Sequence, residues 1–131
     1  MKFQSKQFGE LECDDNYRIT FPSGVIGFEE FKDFIIVNDE STEPFRWLVS
    51  TQDEAVCFPM IDPREIVKEY KANFPRSNGD LYEIYSIVCL KPSLEETTIN
   101  LRSPIVINAQ KREGVQIILN DEEYSVSERF A

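Results

Sequence analysis

Histidine is absent from this chain of 131 residues. That removes Ser-His-Asp and Cys-His nucleophilic sites, the commonest general base, and most zinc and iron sites, since each relies on an imidazole that titrates or ligates near neutral pH. Cysteine is scarce as well. Cys13, Cys57 and Cys89 are odd in number and show no C-x2-C spacing, so they read as free, buried thiols of a reducing compartment. The five glycines stand apart, with no G-x-G-x-x-G or G-x4-G-K-[ST] phosphate loop. No apolar run approaches the roughly 18 residues of a membrane-spanning helix. Met1-Lys2-Phe3-Gln4-Ser5-Lys6 has no long apolar stretch behind its charges, so a signal peptide is not expected either. The expected location is the cytoplasm. Basic residues are outnumbered, 14 against 24, for a net charge of −10. A field of that sign repels phosphate backbones, keeps a protein soluble and favours a basic partner, so direct nucleic-acid binding is not expected.

What is present is a core. Apolar residues make up 41% of the chain, with ten Phe, five Tyr and one Trp, and one domain over 1–131 is the simplest organisation. Period-two patterns dominate. Tyr17, Ile19 and Phe21 alternate with Arg18 and Thr20. Phe45, Trp47 and Val49 alternate with Arg46, Leu48 and Ser50. Thr97, Ile99 and Leu101 alternate with Thr98, Asn100 and Arg102, and Val115, Ile117 and Leu119 with Gln116, Ile118 and Asn120. Each set predicts a half-buried strand. Phe34-Ile35-Ile36-Val37, 84–90 and Ile105-Val106-Ile107 are apolar on both faces, as central strands are.

Turn chemistry divides these runs at Pro22-Ser23-Gly24, Ser77-Asn78-Gly79-Asp80 and Lys111-Arg112-Glu113-Gly114. Gly9 predicts a bulge or tight corner. Pro104 marks an edge, a strand start or a bulge, and Pro59 interrupts its strand in the same way. Phe28, Phe31 and Phe34 fit one or two helical turns. Asp62-Pro63-Arg64-Glu65 looks like an N-cap with Pro at the first helical position, so a short helix over 63–69 is conceivable. Helix should stay under about 20%. The sum predicts a mainly β, closed or nearly closed antiparallel barrel or sandwich.

Carboxylates are the only plentiful catalytic material. Glu95-Glu96 and Glu122-Glu123 are adjacent, and neighbours on a strand point to opposite faces, so they read as solvated surface acids. Asp121-Glu122-Glu123 lacks the glycine and spacing of a calcium loop. No enzyme activity, metal or cofactor is expected. The acids are unevenly placed: 29–43 hold Glu29, Glu30, Asp33, Asp39, Glu40 and Glu43 against Lys32, a net of −5, and Glu10, Glu12, Asp14 and Asp15 add to them. Residues 62–76 are slightly basic. An acidic face for a basic protein is one explanation, and acids crowding into loops is the other. Phe45 and Trp47 are expected in the core, and Asn100 and Asn108, flanking Pro104, are expected to cap irregular backbone.

Taken in order, the segments resemble the FliW family of flagellar assembly factors along nearly the whole chain. The family's N-terminal strand ending matches Gln7-Phe8-Gly9-Glu10, and its Phe-Pro-x-Gly-x-x-Gly-Phe-Glu turn matches Phe21-Pro22-Ser23-Gly24-Val25-Ile26-Gly27-Phe28-Glu29. Phe45-Arg46-Trp47-Leu48-Val49-Ser50 and Phe58-Pro59-Met60-Ile61-Asp62-Pro63 follow. The late signature Asn-Leu-x-x-Pro-Ile-Val-Ile-Asn falls on 100–108, and Gln116-Ile117-Ile118-Leu119 with Tyr124 completes the set. Val25-Ile26 departs from the usual Leu-Pro, and the 74–82 connection is short. The resemblance implies a FliW-like antiparallel β-barrel that is monomeric when free, and a turn then a strand near Tyr70 in place of the helix. It also implies binding to the carbon storage regulator CsrA, a small basic RNA-binding dimer whose repression of flagellin translation is thereby relieved, and to flagellin itself. A dedicated flagellin chaperone is the alternative. The residues singled out for such contacts are Glu29, Glu30, Asp33, Asp121, Glu122 and Glu123 for charge, with Asn100 and Asn108 as polar contacts.

Overall fold

In the computed structural model, which describes residues 1–120 and 124–130, two short strands, β1 (Lys2–Ser5) and β2 (Gly9–Glu12), pair as an antiparallel hairpin. Gly9 sits at its corner, as expected, paired with Ser5. The main sheet comprises β3 (Ile19–Thr20), β4 (Asp33–Asn38), β5 (Arg46–Ser50), β6 (Cys57–Ile61), β7 (Tyr82–Cys89), β8 (Thr98–Ile99), β9 (Ile105–Asn108), β10 (Glu113–Gln116) and β11 (Glu128–Arg129). Seven of these close a ring in the order β7-β6-β5-β4-β3-β10-β9, with β9 returning to β7, and β8 and β11 extend the sheet from the far end of β7.

The joints of the ring are antiparallel except one. β3 and β10 run parallel, through the single pair Thr20 and Glu113. The expected mainly β, antiparallel barrel-like fold forms with this one joint as its exception, and the reason for the exception is topological. Directions cannot alternate all the way round a ring with an odd number of strands, so one joint must be parallel. It falls where β3 is shortest.

Three apolar layers follow. Ile19, Phe21, Phe34, Leu48, Met60, Tyr85, Ile105 and Ile107 fill the barrel. The Phe21 and Phe34 rings meet edge to face at 5.4 Å. On the outside of β4 and β5, Ile35, Trp47 and Val49 are covered by Phe3, Phe8 and Leu11 of the hairpin, with Phe8 edge-on to Trp47 at 5.6 Å. A two-stranded hairpin is marginal alone, so this burial is what holds it in place. It also explains why β5 is buried on both faces when the alternation predicted one. The third layer joins Ile61, Val88, Ile99, Leu101 and Leu119 to Tyr70 and Ala72.

Other expectations need correction. Tyr17 is 63% exposed at the end of a 3-10 turn (Asp15–Tyr17), because β3 begins only at Ile19. Val115 points outward and Gly114 inward, because the ring of Phe21 occupies the space where a side chain at 114 would go. The helix over 63–69 shrinks to a 3-10 turn (Pro63–Glu65), capped by the Asp62 side chain with Pro63 at its start, plus one bond from Val67 N–H to Pro63 O. No strand forms near Tyr70. Its hydroxyl instead donates to Leu101 O at 2.6 Å, pinning an irregular segment by a side chain. Phe28 and Phe31 close successive i→i+3 turns, with no helix. The thiols are free but not buried: Cys13 and Cys57 are half-buried and Cys89 is exposed. Pro104 stands immediately before β9, the strand-start option, and Pro59 pairs with Trp47 at a point where β6 has no β7 neighbour.

Candidate partner-binding surfaces

The acidic run 29–43 does not form one face. Glu29 and Glu30 lie in the exposed loop before β4, whereas Asp39, Glu40 and Glu43 follow its other end. Six residues of strand separate them, about 17 Å at roughly 3.4 Å per residue. That exceeds the screening length of about 8 Å at physiological salt, so the two groups act on a partner independently. Between them Asp33 belongs to the barrel: its carboxylate accepts from Thr20 Oγ1 at 3.2 Å and its carbonyl from Thr51 N–H. Glu29 accepts from Gly27 N–H at 2.7 Å, which fixes the loop. Gly24, with φ +71°, closes the turn before it, where a Cβ would stand 2.5 Å from Glu29 Cα.

Asn100 and Asn108 do cap irregular backbone. Asn100 Oδ1 accepts from the N–H groups of Arg102 and Ser103 in the turn before β9. Asn108 Oδ1 accepts from Gln110 and Lys111 N–H in the turn after it, while its Nδ2 donates to Asp80 at 2.8 Å. The two side chains thus serve opposite ends of β9. Asp121, Glu122 and Glu123 lie outside the described residues.

Two concavities stand out. A polar cleft of about 470 Å³ at one end of the barrel is lined by Glu43, Arg46, Asp62, Arg64, Glu83 and Tyr85, among others. Burial alone would raise the Asp62 pKa. Hydrogen bonds from the Arg64 side chain and main chain, with the charges of Arg64 and Arg46, outweigh it and hold the carboxyl below its usual range. Tyr85 is pushed up to about 12, by burial first and by the Glu83 charge second. Neither group exchanges a proton near pH 7, as an acid/base pair must.

The second concavity is an apolar groove of about 390 Å³ along the outer face of β10 and β9, lined by Pro22, Phe74, Pro75, Val106, Val115 and Ile117. Asn108 and Glu113 mark one end. Arg76 lies over the Phe74 ring at 4.0 Å. None of the apolar lining residues was singled out by sequence as a contact. The signal that could have found them is Gly114: a glycine inside a strand marks a crowded inner face and turns Val115 to the outside.

A small closed β-barrel with a two-stranded hairpin on its flank, an apolar groove along β9 and β10 and acids before and after β4 defines the class: a barrel that presents surfaces. The sequence model of the FliW protein family matches residues 2–130, so the chain belongs to the FliW family. A flagellar assembly factor FliW from Thermosipho africanus is 38% identical, with 100% of this chain and 96% of the relative covered. Another from Thermotoga maritima is 35% identical over 96% of this chain and 90% of the relative. A crystal structure of a flagellar assembly factor FliW superposes with a TM-score of 0.91 at 29% identity, covering 100% of this chain and 97% of that one.

Proposed function

We propose that this chain is a non-catalytic, cytoplasmic flagellar assembly factor, a single domain and a monomer when free, that switches between two protein partners. One is flagellin. The other is the carbon storage regulator CsrA, whose repression of flagellin translation it antagonises. Flagellin holds the factor while subunits accumulate; export of flagellin releases it to dock on the regulator.

The observation that carries this reading is family membership over residues 2–130. The net charge of −10 supports it, because the second partner is basic. Two physical routes lead from docking to loss of RNA. Glu29 and Glu30, with Asp33, Asp121, Glu122 and Glu123, repel phosphate if they come within about 8–10 Å of the RNA groove. Alternatively, docking selects a dimer conformation of lower RNA affinity, which requires different affinities for the two states. Asn100 and Asn108 serve as polar contacts through whichever donors and acceptors their caps leave over.

The test is calorimetric titration with the purified regulator at low and high salt, with and without flagellin. Binding that weakens with salt and is abolished by flagellin is the expected result. Flagellin binding without regulator binding would make the protein a dedicated flagellin chaperone and its charge a matter of solubility.

A further inference from the structure

Among the described residues, one edge of β10 carries no strand beyond its single pair with β3. Its register with β9 continues past the strand, where Ile117 N–H donates to Pro104 O at 3.1 Å and Leu119 N–H to Arg102 O at 2.8 Å. In an antiparallel ladder the alternate residues, Gln116 and Ile118, therefore turn their N–H and C=O groups to the opposite side. On that side β3 meets β10 only at Thr20 and Glu113, and the chain turns away at Pro22. Among the described residues, none accepts from the N–H of Gln116 or Ile118. Such an edge is a template for an added strand.

The surroundings favour one kind of visitor. The apolar groove, with the 43% exposed Val115 in its wall, runs along one face of this strand, and Ile118, 65% exposed, stands on the alternate face past the strand's end. Ile26, 53% exposed, is held close by the bond from its N–H to Gln116 Oε1 at 2.9 Å. Acids outnumber bases around the groove: Glu113 in its wall and Glu29 and Glu30 in the loop that carries Ile26, against Arg76 over the Phe74 ring. Apolar floor, main-chain amides that no described residue uses and an excess of acids on the Ile26 side together select an extended segment with apolar side chains at alternate positions and a Lys or Arg at that flank.

We propose that the 116–118 edge of β10 takes such a segment of the basic regulator as an added strand. This rests on the regulator reading above and names the surface that reading lacks. The test is amide hydrogen exchange on the full chain, free and bound to the purified regulator, alongside affinities of wild type, Ile118→Pro and Ile118→Lys. Ile118→Pro removes an N–H that no described residue uses, and an unchanged thermal midpoint verifies that the barrel persists. Expected are slowed exchange at Gln116 and Ile118 in the complex and an affinity lowered at least about tenfold by either substitution. Regulator binding with both amides still exchanging freely, and both variants binding like wild type, would overturn the edge and leave the partner standing. Loss of flagellin binding alone in the variants would also overturn it, by assigning the edge to the other partner. No regulator binding by the wild type would overturn the partner reading and this inference with it.

Discussion

Gly114→Ala should destabilise the barrel although it adds one methyl group. A Cβ at 114 would stand 2.6 and 2.8 Å from Phe21 Cε2 and Cε1 and closer still to Cζ, all far inside van der Waals contact. The ring could escape such a clash only by moving. Phe21 is fully buried and lies edge-on against Phe34 at 5.4 Å, so no solvent-side rotamer is open to it. Overpacking of this kind costs about 1–3 kcal/mol. Replacing glycine restricts the unfolded chain and returns about 0.4–1 kcal/mol. The net loss is about 1–2 kcal/mol. With a urea slope of about 2 kcal/mol/M, the unfolding midpoint should fall by about 0.5–1 M at constant slope. Phe21→Leu removes the clashing atoms and opens a cavity of its own, so it destabilises alone. In the double variant the two defects should offset each other by at least about 0.5 kcal/mol, as expected for residues in contact. An unchanged midpoint for Gly114→Ala, or strict additivity in the double variant, would refute the packing argument.

Further outcomes follow from the same structure. Among the thiols, exposed Cys89 should react first with a thiol reagent, while Cys57, its pKa raised by burial to about 11, holds about one thiolate in a thousand at pH 8 and should be slow; equal rates by mass spectrometry would contradict the burial. Tyr70→Phe should lower stability by about 1–3 kcal/mol in denaturant titration, because it strands the buried Leu101 carbonyl that the hydroxyl now satisfies. Tyr85 keeps its proton longer folded, with a pKa of about 12, than unfolded, near 10. The stabilisation it brings is complete below pH 10 and is lost as pH rises through 12, so unfolding midpoints should fall along that alkaline limb and level off below it. Charge reversal at Glu29 and Glu30 and at Asp39 and Glu40 should alter the salt dependence of regulator binding unequally, since the pairs sit at opposite ends of β4; equal effects would mean they form one face after all.

Most of the strands were legible because their physics is local. β7 and β9 read as two-faced apolar runs, and both are covered on two sides. The period-two company of Phe45 and Trp47 points both to the core; Trp47 is 7% exposed, while Phe45, just before β5, is half-buried. What failed depended on contacts remote in sequence. The alternation of Tyr17 with Ile19 carries no information about where pairing with β4 begins, and pairing begins at Ile19. Val115 is as β-prone as Ile107, and only the ring of a residue more than ninety positions away decides which of Gly114 and Val115 faces inward. The parallel joint was invisible for a similar reason: it follows from the number of strands in the ring.

The charge pattern shows how far linear density misleads about a surface. Six acids in fifteen residues are compatible with one acidic face and equally with acids crowding into separate loops. A strand crosses the barrel from end to end, so acids before and after it must part, and screening then uncouples them. The acids that remain relevant to any one partner are those beside an attachment point, and attachment needs something charge alone does not supply. Exposed ion pairs contribute at most about 1 kcal/mol each, whereas a buried apolar side chain contributes about 1.5–3. Glu29 and Glu30 share a loop with the exposed Ile26, whose N–H bonds Gln116 beside the two amides that no described residue uses; Asp39 and Glu40 follow the other end of β4, where Asn38 and Glu43 line the polar cleft. On that arithmetic the first group is the one placed to set the sign and speed of an encounter whose strength comes from apolar contact and main-chain pairing.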